Sequence, residues 1–355
     1  MNKNFDKYLL FSENNKYVKI GVAISGGVDS ATAAYILKKQ GYDIFGVTMI
    51  TCGKEDADAK KICSDLGIEH FILDISKNFN HKVIDYFVEE YMMGNTPNPC
   101  MICNKHFKLG KLLEFTLSKG AKYMATGHYA KIKDNKLAMG DDRSKDQVYF
   151  LSQCKKENLQ YFMFPLGNLT KVDVRLMAKQ LGVKVYSKKD SQEICFVEDG
   201  KLKEFLIEKS NGNASISGDI INLDGKILGK HKGLSFYTIG QRKGIGISAD
   251  IPYYVVSLNR LKNQVIVGDS KELFKEELFA SDINYFTNTI NDLENIELFA
   301  KTRSRDQLHK CKITLLKDSS IKVNFINDRV RAITPGQGIV FYDSKQRVIA
   351  SAFIK

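Results

Sequence analysis

Val18-Lys19-Ile20-Gly21-Val22-Ala23-Ile24-Ser25-Gly26-Gly27-Val28-Asp29-Ser30 is a strand-like run that ends in a glycine loop, and the helix-like run Ala31 to Gln40 follows at once. Two adjacent glycines let the backbone approach a ligand closely and turn its N–H groups inward. Ser30 and the start of the helix add a hydroxyl and the positive end of a helix dipole. The stretch therefore reads as an anion cradle, placed where a nucleotide phosphate is usually held. No Gly-Lys-Ser/Thr follows, so no lysine of the loop reaches for terminal phosphates as in the Walker P-loop. The bland alternative is a glycine turn with a capping serine, but the strand before and the helix after are the flanks an anion cradle requires.

Outward from this loop, strand and helix signals alternate. Ile20 to Ile24, Ala31 to Gln40 closed by Gly41, Ile44 to Met49, Asp56 to Leu66 closed by Gly67, and His70 to Ile75 make a βαβαβ pattern. Right-handed crossovers predict a Rossmann-like parallel sheet covered by helices, an α/β fold with the ligand at the carboxyl ends of the strands. Helices are expected over Asn80 to Tyr91, Phe107 to Leu117 and Val172 to Leu181, and a strand over Tyr123 to Thr126. Near residue 200 the texture changes. Asp219 to Leu223, an Asp224-Gly225 turn and Lys226 to Leu228 read as a β-hairpin. Tyr253 to Leu258 and Gln264 to Val267 follow, and then the evenly spaced candidates Lys312 to Leu316, Ile321 to Ile326, Arg329 to Ile333, Gly338 to Tyr342 and Val348 to Phe353, which suggest a small barrel.

The chain has 355 residues, too many for one ordinary core, with 43% hydrophobic and 26% charged residues, as in a globular enzyme. No apolar run approaches the length of a membrane span, and Met1 to Asn15 lacks the apolar core of a secretion signal, so a cytoplasmic protein without a membrane partner is expected. The net charge of +12 points to a polyanionic partner, with nucleic acid ahead of a membrane surface. Seven scattered cysteines, an odd number, argue against a secreted disulfide framework and for reduced thiols, some with chemical roles.

Thr96-Pro97-Asn98-Pro99-Cys100-Met101-Ile102-Cys103-Asn104 places two thiols three residues apart after two stiffening prolines, in what reads as a loop before the helix from Phe107. A Cys-x-x-Cys serves as a redox dithiol, as half of a zinc site, or as a pair of iron-sulfur ligands. No second Cys-x-x-Cys and no His-x₃₋₅-His accompanies it, which disfavours a closed zinc site. A third thiol, Cys195, stands in Asp190-Ser191-Gln192-Glu193-Ile194-Cys195-Phe196. Taken alone it could be a small buried hydrophobe.

Ser-Gly-Gly-x-Asp-Ser after a first strand resembles the PP-loop of ATP pyrophosphatases, which break ATP between its α and β phosphates and pass AMP to an acceptor oxygen. Beyond it, Thr96 to Asn104, Ala125-Thr126-Gly127-His128-Tyr129, Lys145-Asp146-Gln147-Val148-Tyr149-Phe150, Asp190 to Phe196, Gly240-Gln241-Arg242-Lys243-Gly244 and Thr334-Pro335-Gly336-Gln337 occur in the order seen in the tRNA-specific 2-thiouridylases. The resemblance spans almost the whole chain. It implies a PP-loop ATP-binding catalytic domain over 1–200, a small central domain over 201–275 and a C-terminal β-barrel domain over 276–355. It also implies that the 2-oxygen of a wobble uridine in tRNA is exchanged for sulfur, with ATP and Mg2+ as cofactors, tRNA as partner, and a persulfide-carrying protein or hydrosulfide as sulfur donor.

The same resemblance carries roles onto matching positions. Ala23, Ile24, Ser25, Gly26, Gly27, Val28, Asp29, Ser30 and Gly127 would hold ATP, with Met49 beside the adenine. Cys195 would accept sulfane sulfur as a persulfide, and Cys103 would help release it through a transient disulfide. Asn98, Pro99 and Cys100 match the loop at the target base. Lys145, Asp146, Gln147, Arg303 and Ser304 match tRNA-contacting positions, although Ser304 replaces an aromatic residue often found there. Solvated surface charge is the plain alternative for Lys145 and Arg303, and a core role for His128.

Two departures stand out. Many relatives carry Asp at the position of Cys100, and a thiol titrates several units above a carboxyl, which puts the usual proton-transfer role in doubt. The segment Thr51 to Ala57 is shorter than the acidic, aromatic insertion common there. Cys100 also opens a rival route in which Cys100, Cys103 and Cys195 ligate a [4Fe-4S] cluster whose fourth iron binds hydrosulfide, as in other PP-loop RNA thiolases. A cysteine bound to iron is not free to form the disulfide, so the two routes exclude each other. Two other functions stay open from sequence: a PP-loop ligase that adds nitrogen to an adenylated carbonyl, and a non-catalytic RNA-binding protein using the basic stretch Lys226 to Lys243.

Overall fold

The structure, a computed structural model, describes residues 5–52, 57–188, 194–247 and 252–355. They form two compact units. One comprises Met1–His81, Cys100–Gln192 and Gln346–Val348, the other Lys82–Pro99, Glu193–Lys345 and Ile349–Lys355.

In the first unit the strands β1 (Lys19–Ala23), β2 (Asp43–Ile50), β3 (His70–Asp74) and β4 (Tyr123–Ala125) come first in the chain; the hairpin β5 (Ala130–Lys133) and β6 (Lys136–Met139) follows, and then β7 (Phe162–Met163). Five of them form one sheet in the order β3-β2-β1-β4-β7, with every pairing parallel. A parallel sheet is covered on both faces, so its central strand reads as a continuous apolar run. In β1, Ile20 and Val22 are fully buried. Gly21 stands between them because a Cβ there would lie 2.2 Å from Thr116 and 2.9 Å from Phe45.

One core gathers Ile20, Val22, Ala31, Ala34, Leu37, Ile62 and Val183, and another gathers Ala33, Ile36, Tyr129, Leu166, Val174 and Met177. The helix Val28–Lys39 sends side chains into both. Burying each of its large aliphatics stabilises the unit by roughly 1.5–3 kcal/mol. The helix Lys171–Gln180 starts on a capping box: the Thr170 hydroxyl accepts from Asp173 N, and the Asp173 carboxylate accepts from Thr170 N.

The fold class and the alternation of strand and helix are those the sequence predicts, with two local differences. Cys100 and Cys103 do not lie in a loop. They belong to the helix Pro99–Cys103, which continues through wider π-helical turns over Asn104–Lys111 into Leu112–Ser118. Proline is suited to the first helical turn, where its missing N–H costs nothing, so the helix begins at Pro99 rather than Phe107. The β5–β6 hairpin was not expected. Its Asp134 (φ 50) and Asn135 (φ 56) both take left-handed conformations, making a two-residue turn without the glycine that usually advertises one.

In the second unit, Gly218–Asn222 and Ile227–His231 form the expected hairpin and join Tyr254–Asn259 and Gln264–Gly268 in a four-stranded sheet. A closed barrel follows, in the order Glu277–Tyr285, Ile321–Phe325, His309–Leu315, Leu298–Lys301, Gly338–Tyr342 and Val348–Ile354. Burial alternates along His309–Leu315 and Ile321–Phe325, so Cys311, Ile313, Ile321, Val323 and Phe325 fill the interior with Leu298, Phe341 and Ala352. The expected strand Arg329 to Ile333 is not part of the barrel. Only Val330–Arg331 is extended, paired with Phe274–Lys275, because Ala332 turns to φ 54 and Pro335 cannot donate to a ladder. Among the described residues no helix is long and apolar enough to cross a membrane.

Candidate functional site

The glycine loop closes on itself at the carboxyl end of β1. Ser25 N donates to Ser30 Oγ (3.1 Å), Ser30 Oγ donates to Gly27 O (3.1 Å), and the two hydroxyls lie 3.2 Å apart. Gly26 takes φ 70, which glycine alone adopts without strain. Gly27 leads into the helix Val28–Lys39, so the N–H groups of its first turn have no carbonyl one turn back to meet and face outward with the positive end of the dipole. Ile24 N continues the sheet to Val47 O (2.9 Å), and Met49, half-buried, lies two residues beyond on β2. The end of β4 arrives from the other side. A Cβ on Gly127 would stand 2.6 Å from Ser30 N and 2.7 Å from Asp29 C, so the residue after β4 packs as bare backbone against the first helical turn.

Asp29 is held from two sides. Lys171 Nζ lies 2.8 Å from both carboxylate oxygens, and Tyr129 donates its hydroxyl to Oδ1 (2.8 Å). The Lys171 ammonium is also 5.9 Å from the Tyr129 ring centre, and its side chain is 11% exposed against 30% for Asp29. The main-chain N–H of Lys171 donates to Asp142 (2.8 Å). A cation is therefore fixed at the anion cradle by residues distant in sequence. Lys188, which pairs with Asp58 (2.6 Å), brings a second ammonium within 3.4 Å of Gly26 O. Sequence reasoning passed over Lys171, Tyr129 and Lys188. The Thr170-Lys171-Val172-Asp173 capping box was the available signal, since it puts a lysine at a helix start, where the dipole disfavours it.

His128 lies beside the same strand end, its Nδ1 2.7 Å from Thr126 Oγ1. Burial, reinforced by the positive charge of Lys108, pushes its pKa down to about 3, so the ring is a neutral hydrogen-bonding group. Lys108 also acts on Cys100. Desolvation raises that thiol and Lys108 pulls it the other way, with a net rise. Cys100 nonetheless presents an exposed edge, whereas Cys103, one helical turn on, is buried. Cys63 and Cys311 are inert by comparison, pushed up by burial to about 11 and about 12. Asp146 and Gln147 spend their side chains on this unit's own backbone: Asp146 Oδ1 accepts from Gly140 N (2.9 Å) and Gln147 Oε1 from Tyr129 N (3.0 Å). Lys145 is half-buried.

In the second unit, the segment before Pro99 is seated on a turn. Thr96 N donates to Pro335 O (2.8 Å), and Gln337 Nε2 donates to Thr96 O (2.8 Å). Asn98 and Pro99 are buried. Arg303 points its guanidinium into the fold: Nη2 donates to Ala332 O (2.6 Å) and Thr334 Oγ1 (2.7 Å) and reaches Ile239 O at 3.5 Å. Ser304 beside it is half-buried, and Cys195 is exposed. Asp190 to Glu193 of the motif before Cys195 lie outside the described residues, as does Asp56 at the start of the second predicted helix. Thus the loop residues, Gly127 and Met49 meet in one unit with Cys100, Cys103 and Lys145 to Gln147, while Asn98, Pro99, Cys195, Arg303 and Ser304 belong to the other. Among the described residues, no group of three or more His, Cys, Asp or Glu side chains is placed to hold a metal ion.

Comparison with known proteins adds the family. The tRNA methyl transferase HUP domain matches residues 18–199, the tRNA methyl transferase PRC-barrel domain residues 203–269, and the aminomethyltransferase beta-barrel domain residues 275–354. The chain is 60% identical over 353 residues, 99% of its own length and 97% of the other, to tRNA-specific 2-thiouridylase MnmA 1 of Fusobacterium nucleatum subsp. nucleatum. It is 42% identical over 346 residues, 92% of its length and 94% of the other, to tRNA-specific 2-thiouridylase MnmA of Clostridium botulinum strain Eklund 17B. Among solved structures, a 4-thiouridine synthetase in complex with RNA and ATP aligns with 50% of this chain and 44% of that one, at 21% identity and a TM-score of 0.35.

Proposed function

The chain belongs to the tRNA-specific 2-thiouridylases, ATP-dependent enzymes that thiolate tRNA uridine, and from that premise we propose that it replaces the 2-oxygen of a wobble uridine by sulfur. The observation that carries the reading is the closed glycine loop against which Gly127 packs as bare backbone, with the Asp29–Lys171 pair beside it. The matching domain names speak of methyl transfer, but the near-full-length relatives are thiouridylases, and a phosphate cradle suits adenylation rather than methyl donation.

A uridine 2-carbonyl oxygen is a poor leaving group. Attack of that oxygen on the α-phosphorus of ATP expels pyrophosphate and leaves the oxygen bonded to AMP. The N–H groups of the first helical turn and the Lys171 ammonium are the donors for the separating phosphates, and ATP enters as its Mg2+ complex. Asn98, Pro99 and Cys100 border the target base, and Lys145, Asp146, Gln147, Arg303 and Ser304 belong to the tRNA-contacting surface. The Cys195 thiolate attacks the outer sulfur of a persulfide on the donor protein, the donor leaves as its thiolate, and Cys195 then carries the sulfane sulfur. Hydrosulfide, already at the sulfide level, suits only the iron-ligation route. The Cys103 thiolate attacks the inner sulfur of that persulfide and breaks its S–S bond, releasing the outer sulfur as the nucleophile. That sulfur bonds to C2 and AMP departs with the former oxygen. A Cys103–Cys195 disulfide is left, which an external thiol reduces with two electrons. Functionally, 1–200 supplies ATP chemistry, 201–275 a central domain and 276–355 the barrel.

Incubation of the full chain with ATP and tRNA tests the first half: AMP and pyrophosphate should form only with tRNA, and ADP with orthophosphate as products would overturn it. Anaerobic purification with iron and sulfide assay tests the second. An iron-free protein whose Cys195 carries extra sulfur and which completes a single turnover supports the persulfide route. An inactive iron-free protein that recovers on reconstitution replaces it with iron ligation by Cys100, Cys103 and Cys195.

A further inference from the structure

We propose that Tyr129 and Asp142 are positioning residues that couple the tRNA-contacting segment Lys145 to Gln147 to the glycine loop, so that tRNA and ATP each tighten the binding of the other. The proposal rests on the reading of Lys145 to Gln147 as tRNA contacts and of Asp29 as part of the ATP site, and adds how one site senses the other.

Two hydrogen-bonded routes join the segment to Asp29 inside one unit. The first runs through Tyr129. Its hydroxyl donates to Asp29 Oδ1 (2.8 Å), its main-chain N–H donates to Gln147 Oε1 (3.0 Å), and its carbonyl accepts from Gln147 N (3.1 Å). The β5–β6 hairpin starts at the next residue and pairs Ala130 with Met139, which returns the chain to Tyr129. Gly140 then passes so close that a Cβ on it would stand 3.1 Å from Tyr129 O, and Gly140 N donates to Asp146 Oδ1 (2.9 Å). The Tyr129 ring is buried in the core that also holds Ile36, Leu166, Val174 and Met177. A ring locked in a close-packed core has no slack, so a shift of Gln147 is passed on to the hydroxyl.

The second route runs through Asp142. Its Oδ1 accepts from Ser144 N (3.1 Å) and its carbonyl from Lys145 N (3.1 Å), which fixes the turn into Lys145. Its Oδ2 accepts from Lys171 N (2.8 Å), and the ammonium of that same lysine lies 2.8 Å from both oxygens of Asp29. Both routes end on one carboxylate, in the first turn of the helix Val28–Lys39. A polyphosphate at that turn and a tRNA held at Lys145 to Gln147 therefore act on one hydrogen-bonded network. The arrangement of the network that one ligand favours is the arrangement the other binds best.

The test reads a ratio in the full chain: the dissociation constant of an unmodified tRNA transcript alone, divided by the constant with saturating α,β-methylene ATP, which resists cleavage between those phosphates. Linkage is reciprocal, so titrating the analogue without and with tRNA must give the same ratio. Wild type should give a ratio of about 5 to 150, the range of coupled sites. Tyr129→Phe keeps the ring and removes the hydroxyl, and Asp142→Ala cuts the second route. Each should lower the ratio by roughly 2-fold or more, the double variant should bring it close to one, and stimulation of AMP formation by tRNA should fall in step. A merely structural role, or a direct contact with one ligand, changes a dissociation constant by the same factor with and without the other ligand and leaves the ratio at wild type. That result in one variant strikes its residue from the proposal, and in both it overturns the proposal, as does a wild-type ratio of one. If Asp142→Ala unfolds, Tyr129→Phe decides alone. Wild-type protein that neither binds the tRNA nor forms AMP with it would instead refute the functional reading beneath.

Discussion

His128 beside the glycine loop and His309 in the barrel are both drawn into protein, yet the fold shifts their pKa values in opposite directions. His128 is buried beside the Thr126 hydroxyl and the Phe164 ring, and burial with the repelling charge of Lys108 keeps it neutral with a pKa of about 3. His309 is almost fully buried, and burial alone would push it down. Hydrogen bonds to Asp328 (2.5 Å) and Asp306 (3.1 Å) outweigh that and raise it, while Asp328 is lowered in return, first by its hydrogen bond to His309. Around the loop, charge comes as the Asp29–Lys171 and Asp58–Lys188 pairs beside a set of backbone N–H groups, an arrangement suited to a polyanion. In the barrel, two carboxylates, Asp306 and Asp328, bracket one imidazole and tie their loops to it.

The sharpest break between chemistry and scaffold should come from the thiols. Cys103→Ser and Cys195→Ser should each lower thiolation by about 10⁴-fold or more, the scale expected for removing a nucleophile. AMP release that depends on tRNA should persist within a few-fold, as measured by separation of labelled nucleotides. Next in size, Lys171→Ala should slow adenylation on the order of 10²-fold, as removal of one transition-state donor does. Arg should restore part of it. A Lys171→Ala enzyme with the wild-type adenylation rate would reduce the pair with Asp29 to a structural one.

Gly127→Ala should act on the loop through packing alone. Its Cβ would stand 2.6 Å from Ser30 N, so the strand end must shift, costing about 1–3 kcal/mol by denaturant unfolding together with a raised KM for ATP.

The two histidines give the finest test, because their pH responses run in opposite directions. His128 has a folded pKa below its unfolded value near 6.5. The unfolded chain takes up the proton first, so its unit loses stability as pH falls from 6.5 toward 3, and His128→Asn should flatten that acid limb. His309 has a folded pKa above 6.5. Its contribution is fully present below 6.5 and is lost as pH rises through the raised value. His309→Gln should therefore destabilise the protein by about 1–2 kcal/mol near pH 6 and by less at pH 8. Parallel acid limbs in wild type and His128→Asn, or a His309→Gln effect that grows with pH, would break the contrast.

What the sequence determined by itself is whatever local pattern dictates. Ser25 to Ser30 between an apolar run and a helical period specified the cradle, because glycine spacing and strand-to-helix order carry the chemistry in six residues. The parallel sheet followed from the βαβαβ alternation, and four of the six barrel strands from evenly spaced strand-like runs. Tertiary structure decided the rest. No spacing could show that Lys171 closes on Asp29, or that Gly127 is glycine because backbone meets backbone there. The thiols of Cys100 and Cys103 looked like loop residues until Pro99 proved to start a helix, and Val330–Arg331 looked like a barrel strand until Ala332 turned left-handed. Arg303 read as a tRNA-contacting position in sequence, with a solvated surface charge as the alternative, and only the fold shows its Nη2 donating to Ala332 and Thr334 and reaching Ile239. The reason is the same in each case: hydrogen bonds and close approaches between residues distant in the chain depend on where the backbone returns, and a linear pattern does not encode that return.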